Sequence, residues 1–139
     1  MVIIMVWDAS HYELNQTDWS FFVAATDMRL KQYYIVHMHN ATEVGLCNAT
    51  DTPLGILQNK PNVGEVAMVR VKGISKVRVN AAGLAAEAQY GSDANGRAIA
   101  VTTDKGIILG QCFKAGTAVE DDIATVTVNG GILHTISKT

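Results

Sequence analysis

The sequence predicts an all-β fold, a small β-barrel or β-sandwich-like single domain of short strands with an extended N-terminal arm and room for one short helix. Three observations carry this expectation. The chain has 139 residues, one ordinary domain able to close a hydrophobic core without staples. Val, Ala, Thr, Gly and Ile abound, whereas aromatic residues make up 6% and Pro occurs twice. Such a mix favours short strands and tight turns over long helices. From Tyr33 onward, apolar residues recur with period two.

Residues 1–28 differ from the remainder. They contain Trp7, Tyr12, Trp19, Phe21 and Phe22, with no Gly or Pro and no sustained period. They are expected to form an arm, leaving a β-rich domain over residues 29–139. Asp27 to Gln32 fits one helical turn capped by Asp27. Next, Tyr33, Ile35, His37 and His39 share one face of a strand, and Tyr34, Val36 and Met38 the other. Short strands follow at Val44–Cys47 and Leu54–Gln58, separated by the break at Thr52-Pro53. Glu65 to Val71 alternates, Lys72-Gly73-Ile74-Ser75 reads as a turn, and Lys76 to Val79 as the returning strand. Ala81 to Gln89 is compatible with a short helix or a strand and loop. Asn95-Gly96 is a strong hairpin-turn signal. Strands are then expected over 98–102, 106–113, 123–128 and 132–136. The order of strand, loop, alternating strand and Gly turn occurs twice, from Leu54 and from Leu109. It fits either two similar halves around one core or the general appearance of β-meanders.

Composition excludes several functions. The formal net charge is −2, so the chain lacks the cationic excess of a general nucleic-acid binder. No run approaches the roughly 18 apolar residues of a membrane-spanning helix. The apolar start, Met1 to Trp7, lacks the basic region and cleavage site of a signal peptide. Cys47 and Cys112 stand far apart, which points to two buried, reduced thiols. Asn15, Asn40 and Asn48 head N-x-Thr triplets that are expected to be chance matches.

Catalytic or cofactor motifs are missing from the sequence. His37 and His39 place two imidazoles on one strand face, but no Cys, Asp or Glu at ligand spacing joins them, so no metal and no cofactor is expected. Asp104-Lys105-Gly106 has the look of a lipoyl-domain turn, leaving a carrier role for Lys105 as one alternative. A carbohydrate-binding β-domain is another. Arg70, Lys72, Lys76 and Arg78 are expected on one wet face of a hairpin, and Glu120-Asp121-Asp122 is a candidate complement on another copy.

A resemblance then emerges from the order of short motifs. These are Gly55-Ile56-Leu57-Gln58-Asn59-Lys60-Pro61, Gly64-Glu65-Val66-Ala67 and Val71-Lys72-Gly73-Ile74-Ser75-Lys76-Val77. Ser92-Asp93-Ala94-Asn95-Gly96-Arg97-Ala98, Ile108-Leu109-Gly110 and Val126-Thr127-Val128 follow. Over about residues 30 to 130 the chain resembles the capsid decoration, or head cement, proteins of tailed bacteriophages. The resemblance implies a non-enzymatic virion protein. It would bind the outer surface of an icosahedral head at threefold and local threefold positions, as a homotrimer on the major capsid protein, and stabilise the expanded shell. No nucleic-acid or membrane partner is implied. Trp7, Tyr12, Trp19, Phe21 and Phe22 are candidate contacts, since aromatic residues dominate interface energetics. Arg70, Lys72, Lys76, Arg78, Glu120, Asp121 and Asp122 are the charged candidates.

Overall fold

The computed structural model describes residues 19–102, 106–129 and 134–135. Five strands, β1 (Trp19–Ala24), β2 (Ile35–Met38), β3 (Glu43–Leu46), β4 (Gly55–Leu57) and β5 (Val66–Arg70), close a barrel in the order β1-β3-β2-β4-β5. Seven more follow in the chain: β6 (Lys72–Arg78), β7 (Gln89–Ser92), β8 (Ala98–Ala100), β9 (Ile107–Ile108), β10 (Gly110–Lys114), β11 (Ile123–Asn129) and β12 (His134–Thr135). Five of these form a second sheet in the order β6-β11-β10-β7-β8, and β9 pairs with β12. A parallel bridge from Val79 to Ala98 links the two edges of the second sheet, which therefore curls toward closure. The all-β expectation holds, with a barrel and a curled sheet packed together.

The alternation of the strands builds two cores. Inside the barrel lie Ala24, Met28, Val36, Val44, Leu57, Ala67 and Val69. Between the barrel and the second sheet lie Ile35, Ile56, Val77, Val79, Leu84, Tyr90, Leu109, Val126 and their neighbours. In β2, Ile35 serves one core and Val36 the other; in β4, Ile56 and Leu57 divide the same way. Ile35 and Ile56 are also register partners, so the two strands form a wall shared by both cores.

Four expectations are corrected. Residues 19–24 belong to the barrel, not to an arm, because β1 pairs with β5 along its length and with β3 at its end. Residues 1–18 lie outside the described residues. No helix occurs among the described residues. Asp27 does accept the Arg29 N–H at 3.1 Å, as a cap would, but the chain leaves after a turn. The strand expected from Tyr33 begins at Ile35, because Tyr33 sits at φ 71°, in the left-handed region. Finally, Lys72 to Arg78 is one continuous strand. It pairs with β11 from Lys72↔Asn129 to Ile123↔Arg78, so β5 and β6 lie in different sheets and make no hairpin. Gly73, which reads as a turn residue, instead supplies φ +110° within β6.

The Asn95-Gly96 signal is met: β7 and β8 form a hairpin whose turn is organised by Asp93. Its carboxylate accepts the N–H groups of Asn95 and Arg97 at 2.8 and 2.9 Å. Two other glycines permit close strand approach. A Cβ on Gly110 would overlap the Thr127 carbonyl oxygen, and one on Gly55 the Arg70 carbonyl oxygen. Gly110→Ala and Gly55→Ala are therefore each expected to cost about 2–4 kcal/mol in urea unfolding. Gly45→Ala, whose added carbon meets nothing nearer than 4.0 Å, should change stability by under about 0.5 kcal/mol.

Candidate functional site

The acidic triplet lies just before β11 and is largely taken up by its own chain. Arg97, positioned by the β7–β8 turn, donates through Nε to Asp121 Oδ1 at 2.7 Å and reaches Glu120 at 3.2 Å. The Tyr34 hydroxyl donates to the same Asp121 oxygen at 2.7 Å, and Arg97 lies over the Tyr34 ring at 5.3 Å. Arg78 donates to the Asp121 backbone carbonyl at 2.8 Å. Asp121 adopts φ 69°, which Asp tolerates better than most residues, and its N–H bonds to the Val79 carbonyl. Asp122 accepts from the backbone N–H and hydroxyl of Thr117 at 2.7 and 2.6 Å.

Charge and burial shift these groups in a consistent way. The Arg97 hydrogen bond holds the Asp121 carboxyl below its usual range, and the same contact raises Arg97. Burial, then the bond to Asp121, raises the Tyr34 phenol. Bonds from Thr117 hold Asp122 low. The anticipated complement to the basic residues on another copy is thus met, for Asp121, inside the chain. Arg97 and Tyr34 were not among the sequence candidates. They stand 24 and 87 residues from Asp121, so no local spacing marks them.

The basic candidates do not form one patch. Arg70 ends β5 in the barrel, packs over Gly73, and has a buried Nε without a hydrogen-bond partner. Lys72 and Lys76 are exposed on β6, either side of Ile74, which is 59% exposed. Lys76 stands 6.0 Å from the Tyr33 ring centre. Arg78 shares their face but turns to Asp121. Of the aromatic candidates, Phe22 packs on the barrel core, whereas Phe21 is 60% exposed on the barrel's outer wall. Trp19 opens β1 opposite Arg70. Trp7 and Tyr12 lie outside the described residues, as do Asn15 and Lys105.

The remaining polar candidates have structural partners. His37 lies 3.4 Å from Asp51, and no group of three metal-ligating side chains occurs among the described residues. Asn40 and Asn48 organise Asx turns, accepting the N–H groups of Thr42 and Glu43, and of Thr50 and Asp51. A groove of about 280 Å³ runs past Gln89, Gln111, Thr127 and Asn129. The Gln111 amide already donates to the Glu87 carbonyl, and the Thr127 hydroxyl accepts the Gln111 N–H. Both cysteines are buried free thiols, as expected, and burial pushes Cys47 up to about 11.

Two measurements check these assignments. Asp121→Asn keeps the left-handed backbone but loses the charge, and should cost about 1 kcal/mol at pH 7. Because the folded-state carboxyl is held low, the wild-type advantage is full above about pH 5 and is lost as pH falls through that lowered value. Urea midpoints of the two proteins should therefore draw together only as pH falls well below the ordinary carboxylate range. Separately, neither Cys47 nor Cys112 should react with iodoacetamide at pH 8 in native protein, and both should react in denaturant. Rapid labelling of the native protein would contradict the burial.

Comparison with known proteins places the fold. No family model matches the chain, and no curated protein matches it. Among solved structures, it is similar to the head fiber gp8.5 N base of bacteriophage phi29. The TM-score is 0.61 at 11% identity, covering 84% of this chain and 98% of that one. The likeness extends over both layers described above, and the chain has the fold of that phage head protein.

Proposed function

We propose that the chain is a non-enzymatic structural protein of a phage virion. It binds the outer surface of the icosahedral head at threefold and local threefold positions and stabilises the expanded shell. The observation that carries this reading is the fold shared with a phage head fiber base over 84% of the chain. The ordered motifs of residues 30–130, which resemble capsid decoration proteins, support it independently. The partners are the major capsid protein and two further copies of the chain.

The physical character of the molecule suits the role. A barrel and a curled sheet joined by a common wall give a body with little internal freedom, so binding costs little ordering entropy. Joining three such bodies lets modest single contacts sum to firm attachment through effective concentration. Lys72, Ile74 and Lys76 on the outer face of β6 combine two charges with an exposed apolar side chain. They are the most accessible of the basic candidates for an acidic partner surface. Phe21 on the barrel wall is the accessible aromatic candidate, and Trp7 and Tyr12 precede it in the chain.

Co-sedimentation with undecorated, expanded heads of the encoding phage tests the reading. The protein should pellet with heads to a fixed stoichiometry, and light scattering should give about three times the 14.9 kDa chain mass. Lys72→Glu with Lys76→Glu should weaken attachment about tenfold and flatten its salt dependence. Removal of residues 1–18 should weaken attachment or trimer formation while the barrel stays folded. Absence of any saturable binding to heads would overturn the proposal.

A further inference from the structure

We infer that β6 takes up an extended acidic segment of a partner protein as an added strand, along its open edge from Lys72 to Lys76. Hydrogen-bond direction alternates along an antiparallel strand, and several bonds fix its phase here. The Arg78 N–H turns away from β11 and donates to the Tyr33 carbonyl, whereas the Val79 N–H donates to the Asp122 carbonyl beside the start of β11. Across the ladder, Thr127 opposes Ile74, and its carbonyl lies against Gly110 of β10 and accepts the Tyr90 hydroxyl. Asn129 opposes Lys72, and its N–H donates to the Leu109 carbonyl. Ile74 and Lys76 therefore direct their main-chain groups away from β11. The Lys76 carbonyl accepts the Ser75 hydroxyl. Among the described residues, nothing takes the Ile74 N–H, the Ile74 carbonyl or the Lys76 N–H. Lys72, Gly73, Ile74 and Lys76 are all exposed, so the edge is open. An edge of this kind is a template for a further strand.

The side chains along the edge select its occupant. Ser75 and Val77 are buried, which leaves Lys72, Ile74 and Lys76 on the outer face. An added antiparallel strand sets one side chain opposite each of these three. The matching pattern is an acid, an apolar residue and a second acid at alternate positions. Carboxylates then meet both lysines, and the central side chain covers Ile74, which is 59% exposed. A second copy fits poorly. Two β6 edges paired about Ile74 would set Lys72 of each copy against Lys76 of the other, and like charges directly opposite are destabilising. The lysines thus turn away self-pairing while drawing an acidic strand. The strand is also held ready. β11 pairs with its whole length, Gln58 bonds Ser75 from the barrel, and Tyr33 closes the open stretch at Arg78. Docking therefore orders little on this side. As a feature of capsid attachment the edge rests on the reading above, but its chemistry can be tested without heads.

Binding titrations and amide exchange of the full chain with synthetic peptides test it. The probe is Thr-Glu-Thr-Val-Thr-Glu-Thr with blocked ends. It should bind at least about tenfold more tightly than the same peptide with Lys in place of both Glu. Methylating the central valine nitrogen keeps the side chains and charges but removes a main-chain donor, and should weaken binding by a similar factor. In the free protein the amides of Ile74 and Lys76 should exchange fast, and those of Ser75 and Val77, directed at β11, slowly. Saturation with the peptide should slow Ile74 and Lys76 at least about tenfold. Ile74→Pro deletes the edge donor without removing a bond to β11, and should abolish peptide binding. The methylated peptide makes the same test with the protein unaltered. No saturable binding up to about 1 mM, or no slowing at Ile74 and Lys76, would overturn the inference. So would equal binding of the methylated peptide, which would reduce the site to charge alone. Peptide binding without co-sedimentation on heads would remove the attachment reading and leave the edge standing. Co-sedimentation without peptide binding would do the reverse.

Discussion

The structure depends on the wall formed by β2 and β4. Each strand is buried on both faces, with Ile35 and Ile56 in the core shared with the second sheet and Val36 and Leu57 in the barrel. Full burial of one such side chain contributes about 1.5–3 kcal/mol, so the four together contribute about 6–12 kcal/mol. Exposed ion pairs contribute about 0–1 kcal/mol each. Side-chain burial at the wall therefore outweighs any one polar contact in holding the layers together. It also explains why these short strands contain consecutive apolar residues: a strand facing two cores has no wet side.

The polar contacts have a different task, which is to fix loops on that apolar frame. Asp121 gathers Arg97 from the β7–β8 turn, Tyr34 from the segment entering β2 and, through its carbonyl, Arg78 at the end of β6. Three separate segments thus converge on one residue in a left-handed conformation. Gln58 adds a second tie, donating to the Ser75 hydroxyl at 2.9 Å and so joining barrel to sheet. Individually these bonds contribute modestly, but they set where the loops of both layers meet the surface. The acidic triplet, which reads as a patch awaiting a partner, becomes part of the molecule's own bracing.

Local grammar made much of the fold legible. Alternation through Glu65 to Val71 marked a strand, in which Ala67 and Val69 face the barrel core, and Asn95-Gly96 marked the β7–β8 hairpin. Errors arose where one residue type serves two purposes. Gly73 commonly ends a strand, yet here it lets β6 continue past the Arg70 side chain. Asp27 is a good helix cap, yet its carboxylate pairs with Arg29 at 2.8 Å and that pairing holds its pKa down to about 2 in a simple turn. The aromatic content of residues 19–24 suggested an arm, whereas Phe22 and Ala24 complete the barrel core. The Arg97–Asp121 pairing was beyond reach, because it depends on two loops brought together by the second sheet.

The shared wall also determines how the molecule would carry a mechanical load. In a stacked pair of independent layers, a pull on one is resisted by side-chain contacts that can slip. Here the backbone of β2 and β4 is itself the boundary between the layers, since it presents side chains to both cores. Any shear between barrel and sheet must displace strands that are hydrogen-bonded into the closed barrel, at Ile35↔Ile56, Val36↔Leu46 and Leu57↔Val69. Yielding would then require many backbone bonds to break together, so the two layers should give way as one unit.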